Sequence, residues 1–147
     1  MKKHMKKLLV MLFVVCMVKS VGIVAYAGNE PNDNKDDATY LGSGNYIRSY
    51  GLVSSADTED WWYFYANDSS PYRVHLQWGT ENEFDADLYL YNDAGDLLVK
   101  APHSGPRWCT IKDYYLRKSK KYYIRVKYNS GCLTHNPYLL LLEQMEK

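Results

Sequence analysis

The side chains that could perform chemistry in this sequence are few and scattered. Beyond residue 27 the histidines are His75, His103 and His135, and none forms the His-Glu-x-x-His pair that puts two zinc ligands on one helical face. No Gly-x-Ser-x-Gly is present, so the sharp turn that exposes a hydrolase serine has no counterpart. Gly42-Ser43-Gly44 lacks the third glycine and the following helix of a dinucleotide loop, and reads as a flexible joint. Asp85 and Asp87 are two apart in a strand pattern, so they share a face about 7 Å apart at the backbone. That separation is compatible with glycosidase carboxylates. The plainer reading is a turn leading into a strand, plus one exposed carboxylate. Cys109 and His135 could form a thiol pair, but Cys109 is better explained by a disulfide to Cys132. No catalytic activity is expected from these residues.

Binding chemistry is better represented. The chain has 15 Tyr and 4 Trp. Strand-like alternation leaves several of them on outward faces: Trp61, Tyr63 and Tyr65; Tyr89 and Tyr91; Tyr123 beside Arg125 and Lys127. Aromatic and Arg side chains anchor recognition surfaces, and aromatic rings also stack on sugars. The competing reading is that a thin sheet sandwich needs these rings for cross-strand pairing and partial burial.

The elements that must position these residues are strands. Phe84 to Val99 is the strongest local signal. Ala86, Leu88 and Leu90 alternate with Asp87, Tyr89 and Tyr91, then Asn92-Asp93-Ala94-Gly95 supplies a turn, and Leu97 to Val99 resumes an apolar run. Further strands are expected at Tyr46 to Val53, Asp60 to Ala66, Tyr72 to Trp78, Arg107 to Lys112, Tyr122 to Tyr128 and Pro137 to Glu143. The last is apolar on both sides and is expected inside a sheet. His103 to Pro106 reads as a loop. Asp113 to Lys121 reads as a basic connector whose Tyr114-Tyr115-Leu116 could make one helical turn. About eight short strands, regular turn signals and no convincing helix indicate an all-β antiparallel sandwich, jelly-roll-like.

The start of the chain reads as a secretory signal over residues 1–27. Lys2, Lys3, Lys6 and Lys7 precede the 11 apolar residues Leu8 to Val18, and Ala25-Tyr26-Ala27 offers a cleavage site. The apolar run is too short to span a bilayer, which takes about 20 residues. The 120 residues that follow suit one domain, divided into an acidic arm at 28–43 and a sandwich at 44–147. They carry 13 basic and 17 acidic residues, a net charge of −4. That balance argues against a general nucleic-acid binder. A secreted, extracellular location follows, with no stable membrane insertion after cleavage. In that setting Cys109 and Cys132 are expected to form a disulfide closing a loop of about 24 residues, worth roughly 3 kcal/mol. Two inert thiols are the alternative. The arm, with Glu30, Asp33, Asp36 and Asp37 against Lys35 alone, is either a disordered exported terminus or a metal-binding segment.

Four segments then arrive in a familiar order. They are Glu30-Pro31-Asn32-Asp33; Asp57 to Phe64, DTEDWWYF; Asp85 to Tyr91 followed by Gly95; and Lys121 to Val126 followed by Gly131 and Tyr138. In this the chain resembles bacterial pre-peptidase C-terminal domains and is similar to the collagen-binding modules of clostridial collagenases. The resemblance spans roughly Asn29 to Glu143. It implies a non-catalytic β-sandwich that assists targeting, secretion or substrate binding. It also implies calcium, held by Glu30, Asn32 and Asp33 on the arm with Asp57 and Asp60 on the loop before a strand. These are hard oxygen donors of the kind calcium takes. The expected partner is an extracellular protein or polysaccharide met by an aromatic face of Trp61, Tyr63, Tyr89, Tyr123 and Arg125, or else a separately encoded secreted peptidase. Two features would depart from the family pattern: on the signal reading the leader is expected to run straight into the module with no peptidase before it, and the Cys109/Cys132 pair is not a family feature.

Overall fold

The computed structural model describes residues 31–79, 84–101, 103–131 and 137–146. The segment expected to be a signal, Glu30 and Cys132 all lie outside these residues. The described chain is ten strands in two sheets, an all-β sandwich. The strands are β1 (Thr39–Tyr40), β2 (Tyr46–Gly51), β3 (Glu59–Tyr65), β4 (Ser70–Gln77), β5 (Asp85–Asn92), β6 (Leu97–Lys100), β7 (His103–Gly105), β8 (Trp108–Leu116), β9 (Lys121–Ser130) and β10 (Tyr138–Gln144). The first sheet runs β1-β3-β9-β5-β6 and the second β2-β10-β4-β8-β7. All pairings are antiparallel except β1 with β3.

Period-two alternation decides the layers. Trp62, Phe64, Leu88, Leu90, Ile124 and Val126 of the first sheet meet Tyr72, Val74, Leu76, Ile111, Leu140 and Leu142 of the second in one core. Strand β10 is apolar on both sides because it lies between β2 and β4, as its composition suggested. At its start the Tyr138 ring is fully buried. Its hydroxyl donates to the Asp60 carboxylate and accepts from Trp62 Nε1 at 3.0 Å, tying the two sheets together. Gly51 pairs with Tyr138 and must be glycine, since a Cβ there would collide with the Tyr138 ring and the Asp60 carboxylate.

Two local expectations are corrected. Tyr114-Tyr115-Leu116 makes no helical turn; β8 continues through Leu116. A bulge explains the misreading. The register passes from Tyr72↔Tyr114 to Val74↔Ile111, so β8 carries one residue more than β4 across that step. Asp113 takes up the slack at φ 51°. Beyond the bulge the inward phase is restored by Tyr114 and Leu116. The expected loop at His103 to Pro106 contains strand β7. Within the acidic arm, Thr39 and Tyr40 form β1 and Leu41 enters the core, its amide donating to the Tyr63 carbonyl at 2.8 Å. Among the described residues no helix is long and apolar enough to cross a membrane.

Candidate functional site

Strand pairing sorts the outward residues of the first sheet into rows. Trp61, Arg125, Tyr89 and Lys100 stand side by side across β3, β9, β5 and β6. In the next row Tyr40, Tyr63, Tyr123 and Tyr91 are neighbours across β1, β3, β9 and β5. The structure therefore brings together all five residues expected on the ligand face.

Arg125 is the centre of this face. Its guanidinium lies 5.5 Å from the Trp61 ring and 5.3 Å from the Tyr89 ring, as cation–π pairs. It is ion-paired to Glu59 and donates to the Tyr91 hydroxyl at 3.4 Å. Burial would lower its pKa, but Glu59 and Tyr91 outweigh burial and raise it, so it stays charged. Glu59 in turn accepts from Trp61 Nε1 at 3.1 Å, fixing the indole. Trp61 and Tyr91 pack with ring centroids 5.1 Å apart, and Tyr40 and Tyr63 at 5.2 Å. At the rim, Lys100 pairs with Asp87 at 2.7 Å. Burial would raise the Asp87 pKa, but the Lys100 and Tyr89 hydrogen bonds outweigh it and hold it below the usual range.

Tyr123 points outward yet is only 6% exposed. The arm covers it. Asn34 Oδ1 accepts from the Asp36 and Asp37 amides, an Asx turn that folds residues 33–38 over the sheet. Lys35 then projects across Tyr123, 4.7 Å from its ring, and its Nζ donates to the Asp93 carbonyl at 2.6 Å. Lys121 approaches the same ring at 4.7 Å and the Tyr63 ring at 4.4 Å. Trp61, Tyr63 and Tyr89 remain half-buried, while Tyr40 and Tyr65 are 46% and 50% exposed. The rings thus pack on one another, as the cross-strand reading expects, and part of the surface they form stays open.

The acid residues gather at the edge of the same sheet. Asn32 is fully buried and its carbonyl accepts from the Trp61 amide at 2.8 Å. Asp57 stands close to Asp33, and burial first, then Asp33, raises its carboxyl pKa. Its Oδ1 is buried with no hydrogen-bond partner. Asp60 is buried and bound to Tyr138. Among the described residues, no three His, Cys, Asp or Glu side chains are arranged to hold a metal. Glu30, the remaining member of the expected set, lies outside them. Cys109 is a free, buried thiol whose Sγ lies 3.9 Å from the Ala86 carbonyl. Burial, with Asp87 and Asp85, pushes its pKa up to about 12, which makes it inert. The expected bridge to Cys132 is not seen; Cys132 lies outside the described residues.

Sequence reasoning missed Lys35, Glu59 and Tyr138. Lys35 stood out as the lone cation in an acidic run, and Glu59 and Tyr138 fell in the segments of the resemblance, but nothing local linked Lys35 to Tyr123, Glu59 to Arg125 or Tyr138 to Asp60.

Neither the protein-family models nor the curated proteins give a match to this chain. Solved structures do. The fold is similar to the pre-peptidase C-terminal domain of a collagenase from Bacillus anthracis, at 15% identity and TM-score 0.50 over 72% of this chain and 92% of that one. It is also similar to PliG of Aeromonas hydrophila, a periplasmic inhibitor of g-type lysozyme. There the identity is 13% and the TM-score 0.54, over 74% of this chain and 96% of that one. At these identities the likeness is one of fold.

Proposed function

We propose that this chain is a secreted, non-catalytic binding module that engages an extracellular protein or polysaccharide through the outer face of its first sheet. The supporting observation is the in-register aromatic surface built around Arg125. Its rings are held by cations and by one another, so docking costs little conformational entropy. Its open members, Trp61, Tyr63, Tyr65 and Tyr40, form a continuous edge along β3 and β1.

Calcium belongs to the same proposal. Asn32, Asp33 and Asp57 supply oxygen donors, with Asp60 and Glu30 as the remaining candidates. A carboxyl at Asp57 with a raised pKa, one of whose oxygens is buried without a hydrogen-bond partner, is a group that a cation would relieve. Since the arm that would hold the ion also carries Lys35, calcium would fix the cover over Tyr123.

The test is retention of the processed protein on insoluble extracellular matrix, with calcium and with chelator. Trp61→Ala and Tyr63→Ala are each expected to weaken retention about tenfold, a loss of roughly 1.4 kcal/mol. Tyr50→Ala, on the opposite face, should leave it unchanged. Equal retention of all three variants rejects the proposed face. A secreted peptidase that co-purifies from culture medium, with no matrix retention, would favour the accessory-partner role instead.

A further inference from the structure

The mature chain is acidic overall, yet Arg117, Lys118, Lys120 and Lys121 crowd into five positions at the turn between β8 and β9. The turn is firmly built. Ser119 donates to the Ala66 carbonyl at 2.8 Å, and the Lys120 carbonyl accepts from the Ala66 amide at 3.0 Å. The Arg117 amide donates to the Tyr122 hydroxyl at 3.0 Å, and the Lys118 amide to Ser69 Oγ at 3.0 Å. Ser119 accepts a φ of 60° to close it. Opposite stands the β5–β6 turn, itself closed by Asn92, which accepts from the Asp96 amide at 2.8 Å.

Between these turns lies a cleft of about 520 Å³. Its walls include Arg117, Lys120, Lys121, Asn92 and Tyr65. This volume is in the range of small-ligand sites. Arg117 and Lys120 are exposed, and among the described residues neither is ion-paired. Asp93 is the one acid in the wall, against three cations; Lys35 donates to its backbone carbonyl and leaves the carboxylate charge in place. Tyr65, half-exposed at the end of β3, offers a ring face beside these cations. Cations in excess, amide and hydroxyl groups, and one aromatic face match a sugar that carries an anion.

We propose that this cleft seats a sulfated or uronate residue of an acidic polysaccharide. The pyranose ring lies against Tyr65, the anionic group is met by Arg117, Lys120 and Lys121, and the Ser119 hydroxyl hydrogen-bonds to a sugar hydroxyl. The cleft adjoins the aromatic face at Tyr65 and Lys121, and its ligand class rests on the binding-module reading.

The experiment is calorimetric titration of the processed protein with four probes. They are a heparin-derived tetrasaccharide, an unsulfated uronate tetrasaccharide, neutral chitotetraose and sodium sulfate. At least one acidic tetrasaccharide should bind, and raising sodium chloride from 0.1 to 0.4 M should weaken it roughly tenfold. The R117A/K120A double variant should bind it at least tenfold more weakly at an unchanged melting temperature. Tyr50→Ala, on the opposite sheet, should bind it as the parent does, and Trp61→Ala is read only in the matrix assay, so this site and the sheet face fail separately. Which acidic probe binds more tightly tells sulfate from carboxylate. The proposal is overturned if neither acidic probe binds, if the double variant binds as tightly as the parent, or if chitotetraose matches the acidic probes. It is equally overturned if sulfate alone displaces them at equal concentration, which would mark a small-anion site.

Discussion

The two outer faces of the sandwich carry the same residue types in different company. On the first sheet the cations sit among aromatic rings, and Arg125 and Glu59 keep only 19% and 23% of their side chains exposed. On the second sheet Arg73 pairs with Asp113 and Glu143 at 3.4 and 3.6 Å, Arg73 and Asp113 are 38% and 58% exposed, and Arg48 meets a single ring, that of the exposed Tyr46, at 5.2 Å. Tyr50 and Trp108 share one of its rows with Leu139 and Gln77 between them, so their rings do not stack. His75 sits beside a shallow hollow of about 360 Å³, bonded to Thr110 at 2.7 Å, and burial, then Arg73, lowers its pKa. The contrast teaches that aromatic count does not make a surface. What matters is whether strand register puts a cation between the rings and keeps water away from it.

The largest expected effect breaks that contrast directly. Arg125→Ala should cost about 2 kcal/mol in urea unfolding, since it strands Glu59 among rings and leaves two of them without their cation. Arg73→Ala, in a solvated pair, should cost no more than about 0.5 kcal/mol. Equal costs would mean that the two faces are energetically alike.

Next comes the acid edge. Calcium should raise the melting temperature by roughly 4 °C or more, equivalent to about 1 kcal/mol. Asp57→Asn should abolish that gain. Asp60→Ala should abolish it too, but it also leaves the Tyr138 hydroxyl without its acceptor, a separate cost of about 1–3 kcal/mol. Asp57→Asn is therefore the sharper variant.

A smaller effect is set by pH in chelator. Asp57 holds its proton more tightly folded than unfolded, because its pKa is raised. Its contribution to stability is therefore full below the ordinary carboxylate pKa and falls as pH rises through the raised value. Asp57→Asn should flatten that fall in a series of melting curves. A parent curve that rises over the same interval, with the variant unchanged, would contradict the Asp33–Asp57 repulsion. The smallest effect concerns Cys109. Native protein should resist alkylation there, and denatured protein without reductant should be labelled, because the thiol is free and buried. Labelling only after reduction would mean a disulfide.

Much of the fold was legible in the chain because alternation is a local property. Ala86, Leu88 and Leu90 against Asp87, Tyr89 and Tyr91 state which face is inside whatever strand lies alongside. Where a bulge shifts the phase, at Lys112 and Asp113, the same reading failed, since two exposed residues in sequence look like an end rather than a kink.

The sequence by itself determined an all-β sandwich, the inward set of residues, the place of β10 inside a sheet and the candidate aromatic face. Only the tertiary structure decided that Arg125 would stand between Trp61 and Tyr89, that Lys35 would cover Tyr123, and that the β5–β6 and β8–β9 turns would face each other across a cleft. The reason is the range of the interactions. Side-chain period is fixed by neighbouring residues, whereas the partner of each strand is chosen by contacts between segments far apart in the chain, here 97 residues for Tyr46 of β2 and Glu143 of β10.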